Sequence, residues 1–267
     1  MEVIGYFAAA LVGISLGVLG SGGSILTVPI MVYLLNINPV DATGYSLFVV
    51  GLTSAIGGVV YIQRKLVNFR IALIFAVPSI ISVFFTRKLV MAAIPGIIFI
   101  TPSFTLTKEL AIMILFALLM IIVAYKMIRK SRYLEPGIDE VQSYIFFLLI
   151  AAGLVSGVLT GILGVGGGFI IIPALVLYAK IPVRMSVGTS LLIIAFNSLS
   201  GFTEEVMVNH AAINYSFLFL FSLFSVAGIF IGFRISLKLR SEELKKMFGW
   251  FILVMGICVF IKEVFLR

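Results

Sequence analysis

Charge is what this sequence has least of. Aspartate, glutamate, lysine and arginine make up 11% of its 267 residues, against 62% hydrophobic ones, where soluble domains run near ~25% charged. The mean hydropathy is +1.25. A soluble domain of any size is thereby excluded. The single cysteine, Cys258, excludes an intramolecular disulfide. There is one histidine, no HExxH, no Ser-His-Asp pattern and no pair of carboxylates inside an apolar run. Hydrolytic chemistry therefore has nothing to stand on, and no enzymatic activity is expected. His210 with Glu204 and Glu205 offers no matched set of ligands, so neither a metal nor another cofactor is expected.

Apolar segments fill the chain instead. They run over about 3–20, 24–36, 41–63, 69–94 and 108–128, and then 143–163, 169–180, 185–204, 213–238 and 244–264. Crossing a hydrocarbon core of ~30 Å takes about 20 helical residues. An all-α polytopic protein of the cell membrane follows, with the lipid bilayer as its surroundings. The opening "MEVIGYFAAALVGIS" has an acid where a signal peptide carries basic residues, so no cleaved leader is expected. The net charge of +8 sits at segment ends, where membrane topology places it, and does not indicate nucleic acid. The stretch "FFTRKLVMAAIPGIIFITPSFT" predicts a helix ending near Arg87, followed by an irregular, partly interfacial excursion that the second half lacks.

The chain repeats itself. At a constant offset of 144, Gly13, Gly17, Gly20, Gly22, Gly23 and Pro29 fall on Gly157, Gly161, Gly164, Gly166, Gly167 and Pro173. Gly44, Ser46, Ser54 and Gly57 fall on Gly188, Ser190, Ser198 and Gly201. Two added residues near Glu204 and Glu205 then bring Asn68-Phe69 opposite Asn214-Tyr215. The division is a first repeat at 1–130, a polar linker at 131–142 and a second repeat at 143–267.

Basic residues decide between two topologies. If each glycine-broken segment crosses once, the two faces of the membrane collect nine and ten Lys and Arg. If each break is a reversal, the halves are inverted and the division is 14 against five. The second pattern obeys the positive-inside rule. It predicts two inverted repeats, each a glycine-broken helix hairpin plus three transmembrane helices. Both termini then lie outside the cytoplasm.

Inverted repeats with broken helices are a plan of secondary transporters, with the site at the repeat interface. A helix restarting at Ser24 or Phe169 turns free N–H groups and its positive dipole end toward membrane depth, which suits an anion. Pro29 and Pro173 cannot donate to the carbonyls of Ile25 and Phe169. The expected substrate-binding residues are Gly20, Ser21, Gly22, Gly23, Ser24, Ser46, Thr53 and Ser54 in the first half. In the second half they are Gly164, Gly166, Gly167, Gly168, Thr189, Ser190, Asn197 and Ser198. Small residues also let transmembrane helices pack closely, and any single Ser or Thr here fits that reading equally. Asp41 and Arg184 could line an access funnel, while Asp41, Arg87, Lys180, Arg184, Glu204, Glu205 and His210 read as interfacial.

The duplicated Gly-x-Gly-Gly break with its following proline, and the Thr-Ser segment after it, resembles the TauE/SafE family of sulfite and organosulfonate permeases. The likeness spans essentially the whole chain and is best kept in "GILGVGGGFIIIPALV" and "VGTSLLIIAFNSLSG". It implies carriage of sulfite, a sulfonate or a related sulfur-containing anion. The first copy departs from the pattern, with Ser24 opposite Gly168 and Tyr45 opposite Thr189, so the two halves of any site are chemically unequal. The expected function is alternating-access permeation of a small anion. An anion channel, or a membrane assembly protein that transports nothing, stays open at this point, as does a homodimer.

Overall fold

A computed structural model describes residues 2–20, 22–91, 93–101, 104–128, 142–164, 166–177, 179–208 and 214–265. They form α1 (Glu2–Leu19), α2 (Gly22–Pro29), α3 (Pro39–Gln63), α4 (Phe69–Phe85), α5 (Lys108–Ile128), α6 (Gln142–Leu163), α7 (Gly168–Leu177), α8 (Val183–Val208), α9 (Tyr215–Ser236) and α10 (Ser241–Phe265). Among the described residues six stretches are long and apolar enough to cross a membrane: Pro39–Gln63, Phe69–Met91, Lys108–Tyr125, Phe146–Leu163, Val183–Met207 and Tyr215–Ser236. Gly5–Leu19 and Gly23–Leu34 are shorter apolar helices. Of the expected linker only Gln142 lies among the described residues, and Ser21 and His210 lie outside them.

Local chemistry sets the helix starts. Asn38 accepts a hydrogen bond from Val40 N–H at 2.9 Å, with Pro39 at the first helical position of α3. Asn68 caps α4 by accepting from Ile71 N–H at 3.1 Å, and Asn214 caps α9 by accepting from Phe217 N–H at 3.0 Å. The matching Asn-aromatic pairs of the sequence are thus two helix caps. α4 ends at Phe85, close to the expected Arg87, and a π-helical turn continues from it over Thr86–Met91. The excursion beyond it contains an antiparallel hairpin that was not expected, β1 (Ile97–Thr101) with β2 (Phe104–Thr107). Its alternating Ile, Phe and Thr residues favour extended backbone over helix.

The pairings of helices in one half have counterparts in the other. α1 packs on α9 as α6 packs on α4, while α3 pairs with α8 and α5 with α10. Gly13 lies against the backbone of Ser225, and Gly157 against that of Ser79. Glycine at these contacts lets two backbones approach where no hydrophobic force drives association. Successive contacts ascend together in these pairs, as in Gly153 with Phe75 and Gly161 with Thr86, so α6 and α4 run parallel. α3 and α8 run antiparallel, since Gly44 meets Glu205, Gly51 meets Leu199 and Gly58 meets Leu192.

The backbone itself repeats. Gly20 N–H donates to Leu16 O at 2.7 Å, and Gly164 N–H to Thr160 O at 2.8 Å. After the prolines, Leu35 N–H donates to Ile30 O at 3.2 Å and Ala179 N–H to Ala174 O at 3.3 Å, both five residues back. Asn36 and Lys180 close these turns with the same left-handed φ of 53°.

Candidate functional site

At both breaks the chain turns back on itself. A continuous helix would hold residues eleven apart at about 16 Å. Instead Gly23 lies against Val12 and Leu16, and Gly167 against Ser156 and Thr160, so each short helix folds along the arm before it. Gly20 and Gly164 make the turn in the left-handed region, at φ of 71° and 65°. Each rests on the opposite half: Gly20 on Val187 and Ser190 of α8, Gly164 on Thr43 of α3.

The two breaks then diverge. In the first, α2 begins at Gly22, two residues before the expected Ser24, so Gly22 and Gly23 are helical. In the second, Gly166 and Gly167 are also left-handed, at 64° and 68°, and α7 begins at Gly168, one residue before the expected Phe169. A side chain at Gly166 would sit 2.7 Å from Ser198 Oγ, 3.0 Å from Ile194 and 3.1 Å from Val50. Those neighbours lie near the middle of α8 and α3, so this turn is at the centre of the central helix pair.

The lining differs as sharply. Beside Gly167 stand the hydroxyls of Ser156 and Thr160; the corresponding positions beside Gly23 are Val12 and Leu16. Ser156, Thr160 and Ser198 are all buried, and none of their hydroxyl oxygens has a hydrogen-bond partner among the described residues. Buried polar groups are nearly always paired, and leaving one unpaired costs about 1–3 kcal/mol. Three such groups stand around one glycine turn, and each can donate to an acceptor oxygen. Ser156 and Thr160 were not among the expected site residues, although a Ser and a Thr four apart just ahead of the break put both on one helix face.

The other expected residues fall into three sets. Ser46, Thr53 and Ser54 of α3 are buried, their hydroxyls without a partner among the described residues, and Ser24 is fully buried in α2. Asn197 donates to Ser79 Oγ at 2.6 Å and keeps its Oδ1 unpartnered. Thr189 and Ser190 have partners within the fold: Thr189 accepts from Asn68 N–H at 3.0 Å, and Ser190 donates back to Val187 O at 2.8 Å.

Arg87 was expected at the interface, but it is only 5% exposed. It forms an ion pair with Glu205 and donates to Thr43 Oγ1 at 3.2 Å, and Thr43 is the residue on which Gly164 rests. A buried cation is thus one residue removed from the second break. Arg184 and Asp41 part company. Arg184 donates to the carbonyls of Leu237 and Leu239, tying the start of α8 to the end of α9. Asp41 lines an open cleft of ≈ 680 Å³ with Tyr6, Asn38, Tyr45 and Phe217. No three His, Cys, Asp or Glu side chains gather to hold a metal among the described residues.

The sequence profile described as "Sulfite exporter TauE/SafE" matches residues 6–259. The chain belongs to the TauE/SafE family. A relative in Xylella fastidiosa, named "Probable membrane transporter protein", is 27% identical over 257 residues, covering 94% of this chain and 92% of its own. A like-named protein of Methanocaldococcus jannaschii is 27% identical over 263 residues, covering 92% of each chain. YunE of Bacillus subtilis is 27% identical over 234 residues, covering 84% of this chain and 83% of its own. No solved structure matches. This TauE/SafE protein is a multi-pass membrane protein.

Proposed function

We propose that this TauE/SafE protein is a permease for a small sulfur-containing anion, sulfite or a sulfonate, which binds at the second break and crosses by alternating access. One observation carries the reading: the turn at Gly166–Gly168 opens a helix beside three buried, unpartnered hydroxyls, on Ser156, Thr160 and Ser198. The first-turn amides of α7 and the positive end of its dipole favour negative charge. Hydroxyl donors add hydrogen bonds that can be exchanged for others during release. Arg87 stands behind Thr43, ion-paired to Glu205. The first-half residues Gly20, Gly22, Gly23, Ser24, Ser46, Thr53 and Ser54 form the opposite wall of the same passage in this reading; Ser21, expected with them, lies outside the described residues. Gly164, Gly166, Gly167, Gly168, Asn197 and Ser198 form the binding wall, and Thr189 and Ser190 support it.

Alternating access needs two inverted halves, divided here as 1–130 and 143–267. The antiparallel run of the equivalent helices α3 and α8 supports this, as does the turning back of the chain at each break. So does the gathering of basic ends: the backbone at Asn68 is held by Thr189, and Arg184 by the carbonyls after α9. These contacts bring Arg64, Lys65 and Arg70 to the end that carries Arg184, Arg234 and Lys238, which the positive-inside rule assigns to the cytoplasm. The termini are then outside.

Two experiments test the proposal. In proteoliposomes, radiolabelled sulfite, sulfoacetate, thiosulfate and sulfate are offered with and without a pH gradient. Saturable exchange of at least one is expected. Unitary conductance would replace the permease reading by a channel, and no flux of any would overturn both. Orientation is checked in cells with single cysteines, Leu134→Cys and Glu242→Cys, in a Cys258→Ser background. Both should be shielded from an impermeant thiol reagent added outside; labelling of one alone would contradict inversion.

A further inference from the structure

The anion site leaves one buried charge unused. Glu204 of α8 is 4% exposed, and its Oε1 has no hydrogen-bond partner among the described residues. Ionisable groups inside membrane segments are rare because desolvating a charge is expensive, and those present usually carry an ion. The charges that bear on Glu204 are Arg87 and Lys88 from the π-helical end of α4 and Glu205 from its own helix, while Asp41 of α3 bears on Glu205. Lys88 is exposed and lies over the Phe84 ring at 5.7 Å. Arg87 is therefore the one buried cation, among the described residues, that faces both glutamates, and it is ion-paired to Glu205. One buried guanidinium shared by two carboxylates leaves a negative charge in excess.

We propose that Glu204 is a proton-binding site that couples anion movement to the pH gradient; this rests on the permease reading above. The geometry supplies the link, running from Glu204 past the Arg87–Glu205 pair to Thr43, and from Thr43 to Gly164 at the second break. A proton needs a single free oxygen, and Oε1 of Glu204 provides it. A metal cation would need several oxygen ligands in one place. An anion arriving near Arg87 competes with the glutamates for its charge, which favours a proton on Glu204. By reciprocity the proton tightens anion binding by the same factor. The proton adds to Oε1 from water on one side and returns to water on the other, with no other bond made or broken. Proton and anion therefore travel in the same direction.

The test uses the full-length chain in proteoliposomes at zero membrane potential. Its probes are thiosulfate and sulfoacetate, which gain no proton near neutrality as sulfite does. With one proton per anion, a one-unit inward pH gradient drives up to about tenfold accumulation. Wild type should approach that value, and a trapped pH dye should report acidification of the lumen as the anion enters. Glu204→Gln should keep counterflow exchange within about twofold but abolish accumulation, because a neutral amide mimics the loaded state. Replacing sodium by potassium should change nothing. Net uptake of the anion by wild type without any dye response would overturn the coupling, and this readout stands even if Glu204→Gln fails to fold. Unchanged accumulation in Glu204→Gln, or dependence on sodium, would also overturn it while leaving the permease intact. No exchange of any of the four anions by wild type would overturn the permease reading, and the coupling with it.

Discussion

Replacing Gly166 by leucine should abolish anion flux, on the order of a 100-fold loss, in a protein that still inserts and purifies. Two costs meet at this position. Its φ of 64° lies in the left-handed region, where a side chain costs about 1–2 kcal/mol. The added Cβ would also stand 2.7 Å from Ser198 Oγ and 3.0 Å from Ile194, and overpacking of this kind costs about 1–3 kcal/mol. The sum stays below the roughly 5–15 kcal/mol that holds a domain together, so the fold survives and the strain relaxes by moving the turn. A displacement near 1 Å of positioned donors is enough for about a 100-fold loss. Gly22 is the informative comparison. It stands in the helical first turn of α2, where leucine is well tolerated by the backbone. Gly22→Leu should therefore impair flux less than Gly166→Leu. Equal loss from both would mean that the two breaks share the work.

The second large effect is on stability. Arg87→Met should destabilise the protein by about 3–5 kcal/mol, because it strands Glu205 and Glu204 without their buried cation. For a chain of this size that lowers the thermal midpoint by on the order of 10 °C. Arg87→Met with Glu205→Gln should regain much of the loss, since the stranded charge goes with its partner. Arg87→Lys should fall between, because an ammonium cannot spread donors over Glu205 and Thr43 as the guanidinium does. A thermal midpoint for Arg87→Met equal to wild type would show that the pair contributes nothing.

Much of this architecture was legible in the residues. The offset of 144 located both breaks and both prolines, because glycine and proline act locally and keep their positions when apolar residues drift. The same offset foretold unequal halves from Ser24 opposite Gly168. What it could not give was the identity of the wall behind each break. Ser156 and Thr160 reach the site only because α7 folds back along α6, a tertiary relation that no pattern within α7 or α8 contains. Arg87 was misplaced for a related reason. A charge near a predicted helix end suggests an interface, but the π-helical turn carries α4 on to Met91, and Glu205 and Thr43 enclose the guanidinium from two other helices. Thr189 shows another limit: its oxygen also accepts from Asn68 N–H, a structural task that no pattern within α8 contains.

In the proposed permease the hydroxyls of Ser156, Thr160 and Ser198 wait for an anion at the second break. The measurement that addresses this most directly compares the triple variant Ser156→Ala, Thr160→Val, Ser198→Ala with wild type in two assays, thermal unfolding without anion and the half-saturation concentration for counterflow. Unpartnered buried hydroxyls weaken the empty protein, and a hydrogen bond to a charged ligand contributes about 1.5–3 kcal/mol. The triple variant should therefore unfold at a higher temperature while its half-saturation concentration rises by at least roughly tenfold. A variant that is less stable and binds its anion as well as wild type would mean that these hydroxyls serve the fold, and the anion site would have to be sought elsewhere.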